Sequence, residues 1–252
     1  MAFTNMVKPG NIGIVGASGT GIQEVSTIID RLGGGVVHAI GTGGRDLSEA
    51  IGAITVKDAL IALENHTPTD VIVLISKPPA PSVRNEIVNL LHNLSKPVVA
   101  VFIGERPEHH EQNVYLAHTL EEAARIAVDL ANGEEVKANY IEALDNCVDT
   151  VLPENATVKG LYSGGTLGSE AAMLISEALG LGEIIHEEGY VLKAQGYQVI
   201  DYGDDMYTQG RPHPMIDPAT RIEAIKKAGA DPNTGVILLD VVLGYGSHAD
   251  MA

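Results

Sequence analysis

Continuous apolar runs rich in β-branched residues alternate with apolar stripes at three- and four-residue spacing along the chain. Asn11 to Val15 is a buried-strand run that ends at Gly16. From Gly21 to Leu32 the apolar residues fall at Ile22, Val25, Ile28, Ile29 and Leu32, one face of a helix, and Gly33-Gly34-Gly35 stops it. The alternation continues: strand Val36 to Ile40, helical pattern within Leu47 to Leu63, strand Val71 to Ile75, helix Val83 to Leu94 and strand Val98 to Ile103. A short fifth strand at Val114 to Ala117 precedes a helix at Leu120 to Leu130, with Thr119 as N-cap and Glu122 at capping-box spacing. Unbroken apolar strands alternating with helices predict βαβ units and a parallel sheet covered on both faces.

Residues 134–157 break the pattern. They are acidic and polar, contain Pro153, and read as a linker with one short helix near Tyr140 to Leu144. The alternation then restarts. Val158 to Tyr162 is a strand, Gly164-Gly165-Thr166 a turn, and Gly168 to Leu179 a helix ended by Gly180. Tyr190 to Leu192 and Gln198 to Tyr202 flank Gly196 as a candidate hairpin, Thr220 to Ala228 is helical, and Gly235 to Leu243 reads as a buried strand. The expectation is an α/β protein of two tandem lobes, 1–133 and 158–252. The second has too few units to cover its last strand, so it is expected to be truncated, completed by a missing segment or a partner.

Composition narrows the ligand. The 252 residues carry 16 Lys+Arg against 33 Asp+Glu, a net charge of −17. Such a surface repels nucleic acid and anionic lipid, so neither is an expected partner. A small anionic substrate would need local positive poles. The one cysteine, Cys147, forms no internal disulfide, which fits a reducing cytoplasm, and no apolar run approaches the ~18 residues of a membrane span.

Three segments offer such poles. Gly16-Ala17-Ser18-Gly19-Thr20-Gly21 follows the first strand and opens a helix. The first N–H groups of a helix lack intrahelical partners and the macrodipole adds positive potential, so Ser18, Gly19, Thr20 and Gly21 suit a phosphate or a carboxylate. The segment is not a Walker A loop, since no Lys-Ser/Thr pair follows the glycines. It recurs: Ser18-Gly19-Thr20 through Glu24 aligns with Gly164-Gly165-Thr166 through Glu170, Gly-Thr being kept with a Glu four residues after the Thr. The duplication raises anion binding above a plain tight turn, and it suggests one site shared by both turns. Second, Gly41 to Asp46 places Arg45 after a strand end, open to clamping an oxyanion or to simple solvation, and Lys77 ends the third strand. Third, Gly203 to Pro218 holds Asp204, Asp205, Arg211, His213 and Asp217, with prolines on both sides of His213. Its carboxylates are open to accepting hydrogen bonds, to holding Mg²⁺ or to orienting His213 as an acid or base; catalysis is assigned to His213, Arg211, Asp204 and Asp205, and no metal site is expected.

At Gly13 to Gly21 and Gly41 to Asp46 the chain resembles the ligase domain of the succinyl-CoA synthetase (NDP-forming acyl-CoA synthetase) superfamily. Ile14 to Glu24, His38 to Leu47, Ser76 to Pro79, Leu161 to Thr166, Gly203 to Pro218 and Leu239 to Gly244 resemble the FdrA protein family more closely. The resemblance implies two flavodoxin-like, succinyl-CoA-synthetase-like lobes and, in the synthetases, two helix N-termini facing one phosphate carried on a His. That His lies in a Gly-His-Ala-Gly loop; His109, His110 and His118 are the histidines between Gly104 and His118 here, and none has that context. The resemblance therefore points to a free acyl phosphate, in carbamoyl transfer as a subunit of an oxamate carbamoyltransferase-type enzyme. The alternatives are an NDP-forming acyl-CoA synthetase domain, with CoA as ligand, and a non-catalytic assembly subunit. The family's CoA-binding-like domain is expected ahead of this chain, with partner subunits and an oligomeric assembly.

Overall fold

The computed structural model describes residues 5–107, 109–137, 140, 152, 155–182 and 189–250. Most of the expected linker, its short helix and Cys147 lie outside the described residues. The chain forms two compact units, Met1–Ile141 and Glu142–Ala252. Both are α/β.

In the first unit, β1 (Ile12–Gly16), β2 (Val36–Gly41), β3 (Val71–Ser76), β4 (Val98–Phe102) and β5 (Val114–Ala117) make one fully parallel sheet in the order β2-β1-β3-β4-β5. Every residue of β1, β3 and β4 is buried, because helices cover both faces. On one face lie α1 (Gly19–Arg31) and α4 (Leu120–Ala131), packed on each other. Opposite them, α2 (Ile54–Asn65) and α3 (Pro81–Leu91) bury Leu60, Leu63, Ile87 and Leu91 against Val15, Leu74 and Ala100. Each such Leu or Ile contributes roughly 1.5–3 kcal/mol of transfer free energy.

The helical pattern expected within Leu47 to Leu63 divides in two. Gly44–Leu47 is a 3-10 turn, and α2 starts only at Ile54. Between them Gly52 and Ala53 take left-handed dihedrals, φ 68° and 54°, which no continuous α-helix contains. Likewise α3 begins at Pro81, whose missing N–H costs nothing in a first helical turn. Thr119 accepts from the Glu122 N–H at 3.1 Å as the α4 cap, but the Glu122 carboxylate takes the His118 N–H at 2.7 Å rather than that of Thr119.

In the second unit, β6 (Thr157–Tyr162), β7 (Tyr190–Ala194), β8 (Tyr197–Asp201) and β9 (Thr234–Leu239) form a sheet in the order β7-β8-β6-β9. The three strands β8, β6 and β9 are parallel; β7 runs antiparallel to β8, so this sheet is mixed. Gln195 and Gly196 close that hairpin with φ 48° and 91°, the positive pair that a two-residue turn of matching twist requires. Helix α5 (Gly165–Leu179) packs on β6, β7 and β8, and α7 (Ala219–Ala230) on β6 and β9. A four-residue helix, α6 (Asp205–Thr208), interrupts the segment expected to be loop.

The last strand differs from the expectation. It ends at Leu239 rather than Leu243, and it is an edge strand with Val236 and Leu239 exposed rather than a buried one. The chain leaves the sheet at Asp240, whose side chain forms a buried ion pair with Arg221.

Candidate functional site

Parallel strands put their carboxyl ends at one edge of a sheet, and ligands of open α/β sheets bind there, where the strand order reverses. In the first unit the reversal falls between β1 and β3. The Ala17 N–H donates to the Ile75 carbonyl (3.1 Å) and the Thr42 N–H to the Gly16 carbonyl (2.9 Å), tying together the ends of β3, β1 and β2. Gly16 suits this approach: a Cβ there would lie 3.0 Å from the Ile75 carbonyl oxygen, tighter than ordinary contact. Ser18 is the N-cap of α1 and its hydroxyl accepts the Gly21 N–H at 2.9 Å. Gly19 opens to free space, while Thr20 and Gly21 are buried. Lys77, half-buried, and Arg45, exposed, follow β3 and β2 at the same edge. The Thr42 hydroxyl oxygen is buried there without a hydrogen-bond partner.

The neighbouring helix shows what fills such an end. The Asp46 carboxylate, buried, accepts the Thr55 N–H at 3.0 Å and the Val56 N–H at 2.9 Å, closing the start of α2. The first turn of α4 carries Glu121 and Glu122. By contrast the first turns of α1 and α5 carry no acidic residue.

The second unit repeats the turn. Gly164 is the N-cap of α5 with φ −129°, ψ 119°, close to the −148°, 116° of Ser18, and as a glycine it gives the helix no capping side chain of its own. Gly165 and Thr166 form its first turn, Thr166 being buried. What holds the turn was not foreseen from sequence. Ser163, fully buried, donates its N–H (2.7 Å) and its hydroxyl (2.9 Å) to Asp240 Oδ1. Arg221 of α7 reaches in with Nη1 to Asp240 Oδ1 (2.7 Å) and to the Ser163 hydroxyl (2.9 Å), and with Nη2 to the Asp240 carbonyl (2.6 Å). The two side chains are 4% and 1% exposed. The ends of β6 and β9 thus meet over one buried ion pair, at the point where the order of this sheet reverses. Asp240 Oδ2 is buried with no partner.

His213 joins this cluster. A Cβ built on Gly203 would lie 2.5 Å from the Ser163 carbonyl oxygen, 2.7 Å from His213 Nε2 and 3.0 Å from Asp201 Oδ1, so the three groups surround one point at the carboxyl ends of β6 and β8. His213 Nδ1 accepts the Met215 N–H at 3.3 Å, which assigns the ring proton of the neutral imidazole to Nε2. Burial pushes the His213 pKa down, and the Asp240 charge opposes that only in part. Burial also pushes Tyr162 up to about 12, with Asp240 and Glu170 adding to it, so its phenol stays protonated.

The depressed His213 value gives a pH prediction. The unfolded chain binds the proton first, so the stability from neutral His213 is full above pH 6.5 and is lost as the pH falls through the lowered folded value. Thermal midpoints measured from pH 7.5 to 5 are expected to fall, and to fall less in His213→Gln. An identical slope in both proteins would exclude His213 as the group.

Asp204 caps α6 by accepting the Met206 N–H at 2.8 Å, Asp217 accepts the Ala219 N–H at 3.1 Å, and Asp205 and Arg211 are exposed. Among the described residues no three His, Cys, Asp or Glu side chains gather as metal ligands would. Ser163, Asp240 and Arg221 were missed. Their signal is the charge at Asp240 interrupting an apolar run at its carboxyl end.

Family comparison matches the CoA binding domain over residues 7–104 and the CoA-ligase domain over residues 161–252. The first unit, read from sequence as a ligase-like lobe, is thus the part that matches the CoA-binding domain. Uncharacterized protein YahF of Escherichia coli (strain K12) is 42% identical over 262 residues, covering 99% of this chain and 51% of that protein. The chain thus spans about half the length of that relative. Among solved structures, the dinucleotide forming acetyl-coenzyme A synthetase 1 of Ca. Korarchaeum cryptofilum, with phosphate and ADP, is 15% identical at a TM-score of 0.39, covering 93% of this chain and 57% of that one. Its apo form gives 0.40 over the same shares. No helix among the described residues is long and apolar enough to cross a membrane. The first unit thus matches the CoA binding domain and the second the CoA-ligase domain.

Proposed function

We propose that this chain is the CoA-binding and CoA-ligase portion of an acyl-group-transferring enzyme, holding CoA at the carboxyl edge of the first sheet and a phosphate or acyl phosphate at the start of α5. One observation carries the reading. In each unit an interior strand runs through a glycine-containing turn into a helix whose first turn has no carboxylate, at the sheet edge where the strand order reverses. Such a helix start presents N–H donors and positive potential to an external anion. Arg45 and Lys77 supply counter-charge in the first unit, and His213 a donor in the second. Carbamoyl phosphate as the acyl phosphate is the finer form of this reading; its support is the resemblance of Gly210 to Asp217 and the other quoted segments to the FdrA family. The whole enzyme's partners would be the remaining subunits or domains.

The test is isothermal titration of the full chain with CoA, phosphate and carbamoyl phosphate, alongside Gly19→Asp. A Cβ at Gly19 meets nothing within 4 Å, and a carboxylate in a first helical turn stabilises the helix by about 0.3–1 kcal/mol. The variant is therefore expected to fold at least as well as wild type, yet to lose CoA binding at least tenfold, since its own carboxylate takes the place of the ligand's phosphate. Unchanged CoA affinity in Gly19→Asp, or the absence of heat with wild type, overturns the assignment of the first unit.

A further inference from the structure

We infer that Asp240 makes the α5 site selective for a hydrogen-bond-donating oxyanion, inorganic hydrogen phosphate, over oxyanions of the same shape that carry no proton. The inference rests on the anion-site reading of α5 and names its ligand.

Asp240 is 5% exposed and its Oδ2 is buried without a partner, although Oδ1 accepts three hydrogen bonds, from the Ser163 N–H, the Ser163 hydroxyl and Arg221 Nη1. An acceptor buried unsatisfied is costly and calls for a donor. Ser163 directly precedes the N-cap Gly164, so this carboxylate sits against the start of α5. A second carboxylate beside an anion site would ordinarily repel the anion. Here Arg221 neutralises the charge, and Asp240 is left as a neutralised pair with one lone acceptor. The surroundings mix donors, the first N–H groups of α5 and the Nε2–H of His213, with two further acceptors beside that imidazole, the Ser163 carbonyl and Asp201 Oδ1. A tetrahedral anion with several accepting oxygens and one O–H satisfies that set. At pH 8 hydrogen phosphate is such an anion. Sulfate and the methyl phosphate dianion have the same shape and charge but no O–H.

The experiment is isothermal titration of the full chain at pH 8 with sodium phosphate, sulfate and methyl phosphate, and the same series with Asp240→Asn. The Ser163 N–H and hydroxyl fix the asparagine carbonyl at the Oδ1 place, so its NH₂ group takes the Oδ2 place and turns the acceptor into a donor. Wild type is expected to bind phosphate at least tenfold more tightly than sulfate or methyl phosphate, and Asp240→Asn to lose that preference. Should the variant not fold, the wild-type ranking of the three anions decides by itself. Equal affinity for phosphate and sulfate in wild type overturns the inference while leaving the anion site standing. Binding of none of the three overturns the anion site, and this inference with it.

Discussion

Arg221→Ala is expected to lower the stability of the second unit by about 3–5 kcal/mol, because it leaves the Asp240 carboxylate buried and uncompensated. The loss exceeds that of a surface pair for a definite reason. At Lys57–Glu86 and Arg125–Glu121 the partners are 29–58% exposed, water replaces what is removed, and each contributes about 0–1 kcal/mol. At Arg221 the guanidinium is also the donor to the Ser163 hydroxyl and to the Asp240 carbonyl, so these two acceptors lose a donor together with Asp240 Oδ1, which keeps only its Ser163 bonds. Urea unfolding followed by circular dichroism, with hydrogen exchange read on 155–182 and 189–250, checks it. A loss below 1 kcal/mol would show that water reaches the pair. Arg221→Lys is expected to recover only part, since one ammonium cannot span Asp240 Oδ1 and the Asp240 carbonyl as the fork does.

Gly203→Ala is expected to disable the α5 site with a smaller cost in stability. Its φ is not in the left-handed region, so the strain is steric rather than conformational. The new methyl would fall 2.5 Å from the Ser163 carbonyl oxygen and 2.7 Å from His213 Nε2. The imidazole is displaced, and because the carbonyl belongs to the backbone leading into α5, that backbone must shift as well. Overpacking of this kind costs typically about 1–3 kcal/mol. Phosphate affinity at pH 8 is expected to drop at least tenfold, with the far-ultraviolet spectrum unchanged. Wild-type affinity in this variant would place the anion away from Gly203.

The architecture was legible because burial on both faces leaves a strong signature: β1, β3 and β4 are unbroken apolar runs, and the α1 stripe at Ile22, Val25, Ile28 and Ile29 is buried as spaced. The helix-opening turns were legible too, since glycine and hydroxyl residues at a strand–helix junction admit few other conformations. What periodicity does not carry is which polar residues meet across the chain. Ser163 and Asp240 are 77 residues apart, and Arg221 lies 58 from the first and 19 from the second. Nothing local marks Arg221 as buried in a helix rich in Lys, Glu and Ala. Asp204 and Asp217, read as chemical in a Pro-rich segment, each also accept a backbone N–H at a nearby helix start. Carboxylates have two uses at helix ends, and sequence alone does not separate them.

Asp46 has a consequence for concentration. Its carboxylate is tethered nine and ten residues from the N–H groups it binds, so it acts on α2 at the millimolar or higher effective concentration of an intramolecular ligand. A free metabolite at micromolar level competes poorly with such a tethered group. Helix α1, capped by an uncharged hydroxyl at Ser18, has no tethered competitor in its first turn. Under the proposed reading, occupancy there would follow the dissolved anion, so that helix start would respond to metabolite supply where its neighbour does not.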